Sequence, residues 1–271
     1  MLTNLDALTS ADTSAEETTL PIRKFRRPAQ PDAAVADSTL AQRVYMPFRR
    51  LLDFTLALAV CLIAAPVVLL AAALVRLSSR GPAFYSQTRV GRAGKLFTIY
   101  KIRSMIHNCE SLTGPRWTIP GDPRVTPIGW LLRRTHIDEL PQLVNVLIGN
   151  MSLIGPRPER PEFVAELEQA IPDYQQRHAV LPGITGLAQV QLAPDTDLES
   201  VRSKLQCDLH FIRHLSIWLD ARILLATVLH MLGASFTRLQ RLGIVPTPAQ
   251  AETPMRDVQP EGTPLVHRQA A

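Results

Sequence analysis

The strongest hydrophobic pattern in the chain is an apolar run over 54–75 that contains no charged residue. A helix of this length can cross the hydrocarbon core of a bilayer, which needs about 20 apolar residues. Pro66 lies just past the middle of the run, where it removes a helix hydrogen bond and favours a kink or a break. The run therefore predicts a membrane segment that bends near Pro66.

Basic residues flank this run on both sides, with Arg43, Arg49 and Arg50 before it and Arg76 and Arg80 after it. Positive charge in short flanks marks the cytoplasmic side of a membrane, so a spanning helix would have no preferred orientation here. A re-entrant helical hairpin, with both ends in the cytoplasm and its bend at the proline, fits this charge pattern. A spanning helix with a proline kink is the alternative. We assign the membrane segment to 43–80.

Two strand-like runs follow the membrane segment, AFYSQTRVG at 83–91 and KLFTIYKIRSM at 95–105. Both are rich in β-branched and aromatic residues, and Gly91 and Gly94 lie where they join. This pattern predicts a β-hairpin.

Apolar residues over 140–147 follow the i, i+3, i+4, i+7 spacing of an amphipathic helix. Asp138 precedes them and is predicted to be the N-cap, which puts Pro141 in the first turn, where proline is tolerated. The unpaired N–H groups at such a helix end suit a phosphate. A capped surface helix without chemistry is the alternative interpretation of Asp138 and its neighbour Glu139.

Further helices are indicated by capping signals and apolar periodicity. One covers 126–134, with a threonine at the N-cap and a proline directly after it. Another begins at a capping box formed by Thr196 and Glu199 and runs to about residue 211. An apolar segment at 217–232 contains two charged residues, so we expect it to pack on the core or to lie in the membrane interface.

The two ends of the chain, 1–42 and 241–271, lack periodicity, and the second is rich in proline, which predicts disordered tails. The fold class predicted for the rest is α/β, mostly helical. A membrane-embedded re-entrant hairpin would be followed over 81–240 by a compact cytoplasmic domain with a small β-hairpin and interfacial amphipathic helices.

Composition narrows the choice of partners. The chain of 271 residues has a net charge of +5 and a pI near 9.4, which suits an anionic partner such as lipid headgroups, a phosphorylated substrate or nucleic acid. No zinc-finger spacing or basic aromatic repeat is present, so we expect no nucleic acid. The three cysteines form no disulfide framework and no CxxC pair, which fits a reducing compartment.

Several motifs occur in a fixed order, and together they are more specific than any one alone. They are YKIRSM at 100–105, DPRVTPIG at 122–129, DELPQL at 138–143, MSLIGPRP at 151–158 and PGITGLAQV at 182–190. From about Arg49 to about Val228 the chain thus resembles the bacterial sugar transferase family, the small monotopic phosphoglycosyl transferases.

The resemblance implies transfer of a sugar 1-phosphate from a nucleotide sugar, expected to be a UDP-sugar, to a polyprenyl phosphate such as undecaprenyl phosphate. Nucleoside monophosphate is the other product. The implied setting is the bacterial inner (cytoplasmic) membrane, with the catalytic domain facing the cytoplasm. There the enzyme would perform the first membrane step of exopolysaccharide or glycoconjugate synthesis, and downstream glycosyltransferases would be further partners.

The resemblance also implies roles for the carboxylate pair. Asp138 would attack the β-phosphate of the donor and become a phosphosugar ester. Glu139 would bind metal or deprotonate the acceptor phosphate, and the choice between these roles stays open. Mg²⁺ is the expected cofactor, held by Asp138 and Glu139 together with substrate phosphates.

Basic residues within the motifs are candidates for phosphate binding. Arg157 lies between two prolines, so its backbone is stiff and its guanidinium can be aimed at an anion. Arg133, Lys101 and Arg103 are further candidates, although each alone would be an ordinary surface charge. Gln189 follows the glycine-containing PGITG stretch, three residues after Gly186, and is a candidate contact for nucleotide or sugar.

Two stretches depart from the family pattern. QLAPDTDLES at 191–200 replaces the NGR-type stretch of many members, which puts the sugar or nucleotide contacts of that loop in doubt. CDLHFI at 207–212 stands where a YDLYYI pattern is common, and Asp208 still matches as a candidate nucleotide or sugar contact. His210 replaces a tyrosine there.

Two functions of other classes remain as alternatives. A nonenzymatic membrane-bound adaptor would explain the charge and the tails, but it leaves the DELPQ and GPRP motifs unexplained. A conventional glycosyltransferase would carry a DxD motif in a nucleotide-binding sheet. DTD at 195–197 matches that string, but no apolar strand precedes it.

Overall fold

The computed structural model describes residues 40–246 except 112, 113, 115, 120 and 196, and side chains from residue 45 onward. Most of the two predicted tails lies outside these residues. Residues 241–246, which the prediction assigns to the second tail, are described, and Val245 among them is buried against the core.

Helix α1 (Leu40–Ser78) contains the whole apolar run. It includes Pro47 and Pro66, and its helical conformation continues through both, without the interruption that a hairpin with a complete break would show. Within the described residues, α1 is the one helix long and apolar enough to cross a membrane, over 45–78. The re-entrant form therefore stays a prediction.

One stripe of α1 packs against the rest of the protein along nearly its whole length. Near the start of the apolar run, Ala57 is fully buried in a cluster with Ile99 and Met151. Towards its end, Ala71 and Val75 are buried in a second cluster. Both ends of the apolar run thus contact the same body, while the other faces of α1 expose large apolar side chains such as those of Leu62, Ile63, Leu69 and Leu77.

Charged residues at the start of α1 dock onto the protein interior. Arg49 donates from Nε to an Asp220 carboxylate oxygen at 2.6 Å and from Nη2 to the Ile154 carbonyl at 2.6 Å. Asp53 accepts from the Ser152 hydroxyl at 2.7 Å. Arg50 donates to the carbonyls of Met151 and Val146. Arg49 and Arg50 therefore serve internal packing, so they are weaker evidence of membrane orientation than the sequence suggested.

The predicted hairpin is confirmed. Strands β1 (Phe84–Val90) and β2 (Leu96–Ile102) pair antiparallel, with Tyr85 opposite Lys101, and a short 3-10 turn at Arg92–Gly94 joins them.

Helix α2 (Pro127–Arg134) is also confirmed, with the Thr126 hydroxyl accepting a hydrogen bond from the Gly129 N–H at 3.0 Å. Gly129 packs directly on the chain after β2, because a Cβ there would lie 1.8 Å from the carbonyl oxygen of Ser104. This close approach fixes α2 beside the end of the hairpin.

The predicted N-cap at Asp138 is wrong. Asp138 lies inside a separate 3-10 turn, Ile137–Glu139, and helix α3 (Gln142–Leu147) begins only after Pro141. His136, with a left-handed φ of 57°, starts this turn. Because proline has no N–H to donate, the turn does not continue into α3 as one helix, and the carboxylates are set apart on a tight corner.

A second, two-stranded sheet is parallel, with β3 (Ser152–Ile154) beside β4 (Gly183–Thr185). Helix α4 (Pro161–Ala170) and a 3-10 segment at Tyr174–Ala179 connect these strands.

Three helices complete the described chain: α5 (Leu198–Arg213), α6 (Ile217–Met231) and α7 (Phe236–Arg241). The predicted capping box of α5 is displaced, because Asp197 is the N-cap and Ser200 completes the box. The aspartate carboxylate accepts the Ser200 N–H at 2.8 Å. The main core is built by α4, α5, α6 and the segment after β4, around Tyr174, Leu187, Leu205, Phe211 and Ile223. The protein is thus α/β and mostly helical.

Candidate functional site

The 3-10 turn between α2 and α3 holds the two candidate catalytic carboxylates at one corner of the protein. Asp138 is 6% exposed, and the side chain of Glu139 is 14% exposed. The corner lies beside the end of β2 and beside the loop that follows β3, so residues distant in sequence meet here.

Glu139 joins two of the predicted phosphate-binding residues. Its Oε1 accepts from Lys101 Nζ at 2.7 Å and from Arg157 Nη2 at 2.6 Å, and its Oε2 lies 3.3 Å from Arg157 Nη1. Lys101 comes from β2 and Arg157 from the GPRP motif. Three motifs therefore meet at a single carboxylate, which accepts hydrogen bonds from two cationic side chains.

The two carboxylates differ in acidity. Burial, followed by the charge of Glu139, raises the pKa of Asp138, while Lys101, Arg133 and Arg157 oppose that rise. Burial alone would raise the pKa of Glu139 as well, but Arg157 and Lys101 hold it well below its usual value. Asp138 forms no ion pair with a described residue, whereas both oxygens of Glu139 lie against cations.

The loss of solvent around Lys101 lowers the pKa of its ammonium, and Glu139 partly restores it. Glu139 raises the pKa of Arg157, which stays fully charged. The corner therefore carries fixed positive charge next to a buried carboxylate, an arrangement that suits a phosphorylated substrate.

Arg133 lies at the edge of this corner. Its Nε donates to the Ser104 hydroxyl at 2.8 Å, and it acts electrostatically on Asp138. It also borders a cavity of about 400 Å³ at the start of α2. The other lining residues are Thr118, Ile119, Gly121, Asp122, Val125, Thr126, Pro127 and Trp130.

Arg103 lies away from the carboxylates. Its guanidinium donates to the carbonyls of Arg80 and Ser79 and to the Ser79 hydroxyl, at the end of α1. Its donors hold the C-terminus of the membrane helix, so the structure does not bring Arg103 together with Lys101.

Asp208 is buried in an ion pair with Arg177, whose Nη2 lies 2.8 Å from its Oδ2. Burial, only partly offset by Arg177, raises the pKa of Asp208 to about 6. Gln189 lies near Gly186, its amide nitrogen 3.5 Å from the Ile184 carbonyl, and its buried amide oxygen has no hydrogen-bond partner among the described residues. Neither side chain touches Asp138 or Glu139 in the structure.

The glycines of the PGITG motif approach protein backbone. A Cβ on Gly183 would lie 2.0 Å from the Gly155 nitrogen, and one on Gly186 would lie 2.2 Å from the Gly155 oxygen. The PGITG and GPRP motifs therefore pack backbone to backbone and position Arg157.

Two residues near the site were not singled out from the sequence. Asn145 is fully buried in α3; it donates to the Thr98 carbonyl and accepts from the Tyr100 N–H, so it braces the strand that carries Lys101. A polar residue on the apolar side of a helix was the available signal. Arg89 in β1 donates to the Pro158 carbonyl next to Arg157.

The residues at this corner fit a magnesium ion as a cofactor held jointly with substrate. Asp138 offers hard oxygen ligands, as Glu139 would once released from Lys101 and Arg157, and Mg²⁺ commonly takes one or two carboxylates plus phosphate oxygens. In the described part of the chain, no group of three or more His, Cys, Asp or Glu side chains is close enough to hold a metal alone. Substrate phosphates would have to complete the coordination.

Comparison with known sequences finds several related proteins whose names describe undecaprenyl-phosphate sugar transferases or exopolysaccharide production. The chain is 42% identical over 191 residues to UDP-N-acetylgalactosamine-undecaprenyl-phosphate N-acetylgalactosaminephosphotransferase of Aeromonas hydrophila, covering 70% of this chain and 45% of that protein. It is 42% identical over 185 residues to the exopolysaccharide production protein PSS of Rhizobium leguminosarum bv. phaseoli, covering 66% of this chain and 92% of that protein.

A third relative is UDP-glucose:undecaprenyl-phosphate glucose-1-phosphate transferase of Escherichia coli K12, 42% identical over 184 residues. The match covers 66% of this chain and 39% of that protein, so the chain spans less than half of the Aeromonas and Escherichia relatives. The sequence model of the family described as bacterial sugar transferase matches residues 44–234. That region holds the membrane helix, the carboxylate corner and its cations, and the chain belongs to the bacterial sugar transferase family.

Proposed function

We propose that the protein is a phosphoglycosyl transferase that moves a sugar 1-phosphate from a UDP-sugar to a polyprenyl phosphate such as undecaprenyl phosphate. The observation that carries this proposal is the carboxylate corner, where buried Asp138 lies beside Glu139, which Lys101 and Arg157 hold. The names of the relatives support the same reaction class, and they differ in sugar, N-acetylgalactosamine in one and glucose in another. The transfer would be the first membrane step of exopolysaccharide or glycoconjugate synthesis.

The proposed chemistry has two displacement steps. A carboxylate oxygen of Asp138 attacks the β-phosphorus of the donor, and the bond between that phosphorus and the bridging oxygen breaks, releasing nucleoside monophosphate. An oxygen of the lipid phosphate then attacks the phosphorus of the aspartyl ester. This second step forms the lipid diphosphosugar and regenerates the Asp138 carboxylate.

Glu139 acts first as a resident anion. Both of its oxygens contact cations, and its pKa is held low, so it is a poor proton acceptor while Lys101 and Arg157 hold it. An arriving diphosphate carries more charge than one carboxylate and competes for the same donors. Release of Glu139 from these cations would free it to bind metal or to accept a proton from the acceptor.

Lys101 and Arg157 then stabilise the phosphoryl group during transfer. Arg157 presents two nitrogens in one plane, a geometry that matches two phosphate oxygens, whereas Lys101 supplies a point charge. Arg133 acts electrostatically on Asp138 and would add further positive charge. Magnesium held by Asp138 or Glu139 would neutralise phosphate charge when bound.

We further propose that α1 is re-entrant and that the catalytic domain lies on the cytoplasmic face of the inner membrane. The support is that Ala57 near the start of the apolar run and Val75 at its end both pack against that domain. A spanning helix would carry its two ends to opposite faces of the bilayer. Helix α6 exposes an apolar face suited to the interface, with Ile217, Trp218, Leu225, Val228 and Leu232 at the surface.

The test is product identity in a defined assay. Purified protein in detergent with Mg²⁺, undecaprenyl phosphate and a panel of UDP-sugars should release uridine monophosphate and form a lipid diphosphosugar with at least one donor. Release of uridine diphosphate would indicate a conventional glycosyltransferase. No product with any donor would favour the adaptor.

A further inference from the structure

The carbonyls of three consecutive residues, Arg157, Pro158 and Glu159, each accept one hydrogen bond from a residue outside this stretch. Arg177 Nη2 donates to the Arg157 carbonyl at 3.0 Å. Arg89 Nη1 donates to the Pro158 carbonyl at 3.0 Å. The backbone N–H of Val90 donates to the Glu159 carbonyl at 2.9 Å. The main chain that carries Arg157 is therefore held at every residue from 157 to 159.

Proline alone does not supply this constraint. Pro158 fixes its own φ and restricts Arg157 to extended conformations, but ψ of the residue before a proline still ranges over about 40°. The direction of each carbonyl depends on ψ, so a hydrogen bond to the carbonyl removes the freedom that proline leaves. The long Arg157 side chain would magnify any remaining rotation at its guanidinium.

Arg177 is itself rigidly held. Its Nε and Nη2 both donate to Asp208, at 3.1 Å and 2.8 Å, and its Nη1 donates to the Tyr174 hydroxyl at 2.6 Å. Its side chain is 8% exposed. The donor that it presents to Arg157 is therefore fixed on three sides.

Arg89, which lies in strand β1 of the hairpin, holds residues 157–159 in place through the Pro158 carbonyl. It contacts Gln87 at 2.6 Å and lies 3.6 Å from a Glu159 carboxylate oxygen, while its buried Nε has no partner among the described residues. A buried cation with an unsatisfied donor costs folding free energy. Its contact with the Pro158 carbonyl is the interaction that connects it to the carboxylate corner.

We propose that Arg89 and Arg177 are positioning residues that aim the Arg157 guanidinium at the phosphoryl group, a role that rests on the proposed function. Neither touches Glu139; both act by fixing carbonyls of the chain that carries Arg157. The role also accounts for Asp208, which holds Arg177 and has no contact with the carboxylates.

A double-mutant cycle tests this proposal. Arg89→Gln should lower kcat/KM by about 10- to 100-fold, the loss expected from a misplacement of about 1 Å. Arg157→Lys alone should cause a loss of similar size, because an ammonium lacks the two-donor fork. In the Arg157→Lys background, Arg89→Gln should cost less than about threefold, since the group that it aims is already gone.

Arg177→Lys should show the same dependence on Arg157 and should leave Asp208 with a cationic partner. Arg89→Lys, which keeps one donor for the Pro158 carbonyl, should recover part of the activity. An equal fold loss in kcat/KM from Arg89→Gln in the wild-type and Arg157→Lys backgrounds would mean a general structural role and would overturn the proposal.

Arg160→Gln is the matched control. Arg160 directly follows Glu159, and its burial lies between that of Arg89 and that of Arg177. It forms an ion pair with Glu110 at 2.8 Å and donates to none of the three carbonyls. Its effect should be the same in the wild-type and Arg157→Lys backgrounds.

The cycle is also measured on the midpoint of thermal unfolding, which needs no turnover. Arg89→Gln should lower the midpoint less in the Arg157→Lys background, because the aligned pair between Arg157 and Glu139 has already been lost. Absent turnover of the wild type would refute the proposed function alone. The positioning role alone would be refuted if the two substitutions lowered the unfolding midpoint additively and their fold losses in kcat/KM multiplied.

Discussion

Asp138 and Glu139 are neighbours in sequence, but their pKa values are shifted in opposite directions. Burial and a like charge act on Asp138, whereas two cations act on Glu139. No described cation forms an ion pair with Asp138, and in the proposed mechanism Glu139 keeps Lys101 and Arg157 in place until an anionic substrate arrives.

Asp138→Asn should abolish turnover, by about 10⁴-fold or more, because an amide is a poor nucleophile and cannot carry the phosphosugar ester. Intact-protein mass spectrometry after mixing with UDP-sugar and Mg²⁺, without lipid, should show a mass increase of one sugar phosphate. The modified peptide should contain Asp138, and the variant should show no adduct. Full turnover without any adduct or burst would instead indicate direct attack by the lipid phosphate.

Glu139→Gln should move both limbs of the pH profile of kcat/KM to lower pH. The negative charge of Glu139 raises the pKa of Asp138, so its removal lets Asp138 ionise at lower pH and moves the acid limb down. The same charge raises the pKa of Lys101, so its removal lets Lys101 lose its proton earlier and moves the alkaline limb down. The profile is measured on release of uridine monophosphate, and limbs that stay in place would contradict these electrostatics.

Secondary-structure elements were predicted correctly where neighbouring residues in the sequence carry the signal. The hairpin and the start of α2 follow from alternation and from a threonine and proline at a helix start. The position of Asp138 was mispredicted because Pro141 separates the turn from α3, and the cap of α5 was misplaced by one residue. Both errors concern which of several capping residues the tertiary structure selects.

At the junction of β3 and β4, Gly183→Ala should destabilise the protein by about 1–3 kcal/mol, since the new Cβ would lie 2.0 Å from the Gly155 nitrogen. Denaturant unfolding in detergent measures the change. Gly121→Ala is the control, because its φ of +73° carries backbone strain but nothing lies within 4 Å of the new Cβ. Unchanged stability of Gly183→Ala would mean that the close contact between the motifs adds nothing, since no backbone strain acts at that position.

Across the whole molecule, the sequence nominated candidate groups but not their partners. It did not separate Lys101 from Arg103, because Glu139, the partner of Lys101, lies 38 residues away and the contacts of Arg103 lie at the end of α1. Strand β2 ends at Ile102, so Arg103 leaves the face that Lys101 occupies. Such pairings depend on the tertiary fold, and no local pattern in a single sequence encodes them.

The two ends of α1 should lie on one side of the membrane. In a variant without native cysteines, Ser38→Cys and Ser86→Cys test this separately in intact cells with a reagent that does not cross the inner membrane. Both sites should stay unlabelled until the cells are permeabilised. Labelling of only one site before permeabilisation would mean that α1 spans the bilayer. Pro66→Ala should shift part of the population towards that spanning form.

The contacts of Arg49 and Asp53 with β3 join residues 99 to 105 positions apart. At synthesis rates of about 5–20 residues per second, β3 leaves the ribosome roughly 5–20 s after the helix does. During that interval the nascent helix carries its charges without their eventual partners. If α1 is the proposed membrane segment, its anchoring would precede completion of the segment that carries Arg157, and the order of translation would place membrane attachment before catalytic competence.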